Sequence, residues 1–196
     1  MSIVTPPPPS SPSNRFTAAD LRALPNEKDY ELVDGHLEEL HVGVLSGLVG
    51  ARLFLLLGTF CQHRNLGAVL GMDFGYQCFL DDPEKVRKPD VSFIRAERMT
   101  GIEASWAYCR IAPDLAAEVI SPNDLTYDVS RKVDGYLAAG VRLVWVLDPS
   151  NRSVAIYRQS GAYSLLSSTE ELTGEDVVPG FRCQLSELFA LPAGVV

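Results

Sequence analysis

Along this chain the apolar positions change period several times, and the changes mark out its elements. Thr17-Ala-Ala-Asp20 has the form of a capping box and predicts a short helix that stops near Pro25. Residues 30–33 and 37–42 read as strands, and Asp34-Gly35 between them is a strong two-residue hairpin signal. From Ser46, a candidate cap, to about Arg64, the apolar positions Val49, Leu53, Leu56, Leu57 and Phe60 follow the helical period of about 3.6 residues. Strands are predicted near 68–72, 74–80 and 89–94, the last of them after the charged turn Asp81-Asp82-Pro83-Glu84. Residues 97–112 carry no clear period.

The second half reads more simply. Residues 114–120 form a buried strand with one acid, Glu118, in its apolar half, and Ser121-Pro122-Asn123-Asp124 breaks it. A helix follows over about 126–139 and ends at Gly140, a favourable residue just past a helix terminus. Residues 141–147 are a further apolar strand, closed by the turn Asp148-Pro149-Ser150-Asn151. Residues 152–158 and 162–167 suggest a peripheral hairpin, and Ser186 a cap for a short last helix. There are no internal repeats. A helix, several antiparallel strands and then strand–helix–strand indicate an α/β or α+β domain built on a mixed sheet.

Composition narrows the class. With 196 residues, 46% hydrophobic and 21% charged, the chain has the balance of a globular protein and the length for one domain with a sizeable core. Residues 1–15, rich in proline and serine, read as a disordered or extended arm, leaving 16–196 as the domain. The longest uninterrupted apolar run, Leu53-Phe54-Leu55-Leu56-Leu57, is far short of the roughly 20 residues of a membrane span. The N-terminus has neither the basic start nor the apolar stretch of a secretory signal, so a cytoplasmic location and no membrane partner are expected. Cys61, Cys78, Cys109 and Cys183 lack CxxC spacing and read as buried thiols. His36, His41 and His63 lack the i, i+4 pairing of an HExxH helix, so neither zinc motif is present.

Charge points the same way. The net charge of −8, from 25 acidic and 17 basic residues, argues against a dedicated high-affinity DNA binder but not against a hydrolase that gathers carboxylates around a cation. Five of the 17 basic residues, Lys85, Arg87, Lys88, Arg95 and Arg98, fall within one stretch that also holds Asp90. A solvated loop and strand edge would account for such a stretch on its own.

Asp90 opens the apolar Val91-Ser-Phe-Ile94, and Glu118 lies within Leu115-Ala-Ala-Glu-Val-Ile120. Burying an unpaired carboxylate costs several kcal/mol, about the size of the effective penalty for an isolated charge, so each acid needs a reason. Either alone fits a pair with arginine or a cap on nearby amides. Two on neighbouring strand ends fit a Mg²⁺ site, which takes one or two carboxylates and leaves positions for water. Such an ion acidifies water and neutralises charge on a phosphoryl oxygen. A lysine beside it can hold the attacking water and stabilise the transition state. Lys132 is the candidate, although an i, i+4 salt bridge to Asp128 explains it equally well by spacing.

Longer segments carry a resemblance. YELVDGHLEEL (30–40), RKPDVSFIRAERM (87–99), PDLAAEVISPND (113–124), YDVSRKVDGYLAAGVRLVWVLDP (127–149) and VAIYR (154–158) resemble the Uma2 family, also known as DUF820. The match covers about residues 16–190 in the same order. That family is placed with restriction-endonuclease-like proteins of the PD-(D/E)XK superfamily. The resemblance therefore implies an α/β fold with a mixed sheet flanked by helices and Mg²⁺-dependent hydrolysis of DNA, with Mn²⁺ a possible substitute. It implies Asp90 and Glu118 as metal ligands, the Val119 carbonyl as a further one, and Lys132 as the residue that orients and activates water. Glu31 becomes an assisting acid, either a second ligand or a water contact. Two departures stand out: Glu-x-Lys would put lysine where this chain has Ile120, and the family's Ser-Pro and His-Gly positions after Leu40 are absent. His41 does not obviously replace that histidine.

Superfamily members that cut duplex DNA commonly act as symmetric dimers, so a homodimer is expected, with residues 154–157 and 163–166 as candidate contacts. A non-catalytic interaction domain that kept the fold, and a nuclease acting on RNA or small phosphodiesters, are the rival readings.

Overall fold

A computed structural model of the chain describes residues 15–41, 43–100, 108–121 and 124–192. Most of the proline- and serine-rich arm, and Pro122-Asn123 of the expected strand break, lie outside them.

Helix α1 (Ala18–Ala23) is opened by the complete Thr17/Asp20 capping box. Strands β1 (Tyr30–Val33) and β2 (His36–Glu39) pair antiparallel across Asp34-Gly35. Both turn residues have positive φ, 51° and 76°, which a two-residue turn of this hand requires and which aspartate and glycine tolerate best. Backbone hydrogen bonds in both directions between Leu32 and Val86 dock the hairpin onto the segment before Lys88. That docking carries Glu31 to the sheet.

Helix α2 (Val44–Arg64) begins earlier than expected. Gly43 is its cap, in extended conformation, and Ser46 lies in the first turn. The Ser46 hydroxyl accepts the Gly43 N–H at 3.1 Å and donates to the Gly43 carbonyl at 3.0 Å, so serine serves the cap from inside the helix.

The main sheet has six strands in the order β3-β4-β5-β6-β7-β8. These are β3 (Gly67–Gly71), β4 (Val91–Arg95), β5 (Leu115–Val119), β6 (Leu143–Asp148), β7 (Ser153–Arg158) and β8 (Tyr163–Leu166). Only β5 and β6 run parallel, joined by helix α3 (Thr126–Ala138), and the other neighbours are antiparallel. Helix α2 lays Val49, Leu53, Leu57 and Cys61 on one face, against Val91, Phe93, Ala117 and Trp145. On the other face α3 sets Val133 and Tyr136 against Ala116, Val144 and Val146. A mixed sheet with helices on both faces is the expected α/β architecture. Strand β5 is buried at every position, which is why it reads as a near-continuous apolar run.

Four expectations need correction. Residues 74–80 are not a strand of the sheet: Tyr76 makes isolated bridges to Arg87 and Cys109, spanning two segments instead of pairing along one. The hairpin expected to be peripheral is not, because β7 joins the sheet and buries Val154 and Ile156, leaving β8 as the edge. Of the candidate dimer contacts, Tyr163 and Leu165 remain exposed while Val154 and Ile156 belong to the core. Ser186 lies inside α4 (Leu185–Leu188), which Gln184 caps. Two strands of three residues, β9 (Glu171–Thr173) and β10 (Arg182–Gln184), were unforeseen, being too short to show a period.

By length and composition α2 is apolar enough to cross a membrane, despite its short uninterrupted runs. In the fold its buried stripe ties it to the sheet, and Val44, Phe54 and Leu55 face outward. Among the described residues no disulfide forms: Cys61, Cys109 and Cys183 are buried and Cys78 half-buried.

Candidate active site

Strand register brings the two key acids together. Val91 on β4 pairs with Ala117 on β5, and Asp90, at the bend just before β4, accepts the N–H of Val119, the neighbour of Glu118. Glu118 turns toward α3, and the two acids line one cleft. Glu118 is at the carboxyl end of β5, where open α/β sheets place their ligands.

Helix α3 supplies the next two groups from one face, a turn apart. The Lys132 ammonium donates to Glu118 Oε2 at 2.9 Å, and the Tyr136 hydroxyl donates to Glu118 Oε1 at 2.6 Å. Lys132 also lies 3.6 Å from Glu31 Oε2. The salt bridge that spacing suggested between Lys132 and Asp128 is made by Arg131 instead, at 3.9 Å. Lys132 points inward.

Glu31 is buried to 1% exposure and fully engaged. Arg87 donates to its Oε2 at 2.6 Å, and the Lys88 backbone N–H to its Oε1 at 2.6 Å. Arg87 also reaches Glu38 at 2.8 Å. Held in this way, Glu31 anchors the Arg87 guanidinium and faces the Lys132 ammonium. The basic stretch is consumed in the same manner, contrary to its reading as a solvated edge. The Lys85, Arg87 and Lys88 side chains are buried, the Lys88 ammonium on the Glu27 carbonyl at 2.6 Å and Lys85 on Asp81. Arg98 pairs with Asp114 and Arg95 turns to the Val177 carbonyl.

Asp90 is half-buried, and its Oδ2 accepts the Val119 N–H at 2.6 Å. Among the described residues its second oxygen takes no hydrogen bond. Burial, then the Glu118 carboxylate, push its pKa up to about 7, against the opposing pull of that backbone bond and of Lys132. Burial works against the charge on Lys132, but Glu118 and Glu31 outweigh it and hold its pKa well above the ordinary lysine range. A lysine so firmly protonated offers N–H donors and positive charge to a water, not a base. For Glu31, burial is likewise outweighed, by Lys132 and Arg87, and its pKa falls below the ordinary value.

A pH dependence follows. Asp90 binds its proton more tightly folded than unfolded, so its contribution to stability is fully present below the unfolded value of 3.8 and is lost as pH rises through about 7. Urea unfolding at intervals from pH 4 to pH 8 should show wild type losing stability relative to Asp90→Asn across that window. Parallel stability curves would contradict this placement of Asp90.

Glu31, Asp90, Glu118, Val119 and Lys132 all line one cleft of about 410 Å³. His41 lies on its wall as well. The cleft lining carries seven carboxylates against two lysines. Among the described residues no cluster of three His, Cys, Asp or Glu side chains suits a metal, which disfavours a tetrahedral zinc centre. Two carboxylates and a backbone carbonyl fit Mg²⁺, which keeps several waters. Tyr136 and the Arg87–Glu31 pair were not singled out from the sequence. The i, i+4 spacing from Lys132 is the signal that could have found Tyr136.

The comparisons with known proteins agree on the architecture. The chain is similar over 89% of its length, and 97% of the other's, to the crystal structure of a "putative nuclease belonging to DUF820" from Anabaena variabilis, with 17% identity and a TM-score of 0.76. At that identity the likeness speaks for the fold. No curated protein matches. The model of the Uma2 family, described as "Putative restriction endonuclease", matches residues 18–186. With nearly the whole described chain inside that match, the protein belongs to the Uma2 family.

Proposed function

We propose that the chain is a divalent-metal-dependent nuclease that hydrolyses DNA phosphodiester bonds. One observation carries this reading: Asp90 and Glu118 line the same cleft, with the Lys132 ammonium 2.9 Å from Glu118. Asp90 and Glu118, with the Val119 carbonyl, would hold Mg²⁺ or Mn²⁺. What such an ion supplies when bound is Lewis acidity, neutralising a phosphoryl oxygen and acidifying water. Lys132 orients the attacking water through its N–H donors and offsets charge that develops in the transition state. Glu31, itself held by Arg87, faces Lys132 at 3.6 Å and helps to keep it in place. The membership of a nuclease-like family supports the reaction class. A homodimer in the cytoplasm would let two such sites address two strands.

Purified protein is expected to nick plasmid DNA with Mg²⁺ or Mn²⁺, to stop with EDTA, and to be silent as Glu118→Gln. Cleavage indifferent to both chelation and that substitution would remove the proposal. One observation favours a second substrate class. The cleft is acidic and the neighbouring cations are turned inward, so the mouth offers little basic track for a long duplex. Single-stranded DNA, RNA and a small phosphodiester belong in the same assay, and cleavage confined to RNA or the small ester would establish the rival.

A further inference from the structure

Glu118 is held from two sides by donors that differ in how easily they leave. Lys132 is partly exposed, at 21% for its side chain, and has Glu31 within 3.6 Å as a second carboxylate. A short movement can exchange Glu118 for Glu31 and release Oε2. Tyr136 has no such alternative. It is 1% exposed, packs at 6.2 Å from the Phe79 ring and among Val133, Val144 and Ala116, and among the described residues its hydroxyl bonds Glu118 alone.

We infer that Tyr136 is a positioning residue that caps one oxygen of Glu118, so that a cation can take Oε2 only, and that it thereby selects Mg²⁺ or Mn²⁺ against Ca²⁺. This rests on the reading of Asp90 and Glu118 as cation ligands. The physical reason is coordination number. Mg²⁺ demands a small octahedron and takes one oxygen per carboxylate, while Ca²⁺ gathers 6–8 oxygens and readily uses both oxygens of one carboxylate. A carboxylate with Oε1 already bonded suits the first and frustrates the second. Removing the hydroxyl leaves Oε1 without a donor and free to join a larger coordination shell.

The test is calorimetric titration of the full chain, without nucleic acid, with magnesium, manganese and calcium chlorides. Wild type should bind Mg²⁺ and Mn²⁺ more tightly than Ca²⁺. Tyr136→Phe, which keeps the ring, should shift the Ca²⁺-to-Mg²⁺ affinity ratio toward Ca²⁺ by about tenfold, the scale on which partners behind metal ligands act. An unchanged ratio overturns the inference and leaves the nuclease reading standing. Absence of any divalent binding by wild type overturns both. Should the variant fail to fold, infrared difference spectra of wild type and Glu118→Gln on adding Ca²⁺ carry the same test. The wide splitting of carboxylate stretches expected for one-oxygen ligation supports the cap, and the narrow splitting of two-oxygen ligation overturns it.

Discussion

Replacing Arg87 with methionine is expected to destabilise the fold by about 3 kcal/mol, toward the lower end for breaking a buried ion pair. Glu31 is 1% exposed and depends on the Arg87 guanidinium at 2.6 Å for half of its hydrogen bonding. Methionine keeps much of the apolar stem, so the loss reports the charge left behind and not a cavity. The Lys88 N–H and the Lys132 ammonium remain to Glu31, which is why the expected cost is not larger. Glu31→Gln combined with Arg87→Met should recover part of the loss, because replacing both partners removes the uncompensated charge. Urea unfolding of the two single variants and the double variant measures this. A cost under about 1 kcal/mol for Arg87→Met would mean that the Glu31 pair is as weak as one at the surface.

The sequence made these partners hard to see. Arg87 and Glu31 are 56 positions apart and meet only because the β1–β2 hairpin docks on Val86. A run of cations beside a charged turn is ordinarily solvated, and no local pattern says that three of these side chains turn inward. The elements that set up the site were more legible. Asp34-Gly35 announced its turn chemically, and α3 announced its end by Gly140, whose φ is 94°. An acid inside an apolar strand marked Glu118 as needing a partner, but Tyr136 became visible only once β5 and α3 were seen to face each other. Ser46 misled because a serine one turn inside a helix can serve the cap as well as form it.

The roles given to Asp90 and Lys132 predict effects of opposite sign on stability and the same sign on catalysis. Asp90→Asn keeps an oxygen that can accept the Val119 N–H, so the backbone contact survives. It removes a carboxylate that burial and Glu118 make costly to ionise. Without metal at neutral pH the variant should therefore melt at or slightly above wild type. With one ligand gone, it should lose the stabilisation that saturating Mg²⁺ lends wild type, about 2.7 kcal/mol at a hundred times Kd, and lose cleavage altogether. Lys132→Met takes away the cation shared by Glu118 and Glu31, so its metal-free melting temperature should fall. A bound cation then relieves that uncompensated charge, and the metal-induced rise should be at least as large as in wild type. Cleavage should drop by about 100–1,000-fold, the scale for losing one group that stabilises the transition state. Thermal melts with and without Mg²⁺, run beside the plasmid assay, separate the two variants. Equal metal-induced shifts in both, or metal-dependent cleavage by well-purified Asp90→Asn, would mean that the cation and the chemistry lie elsewhere in the cleft.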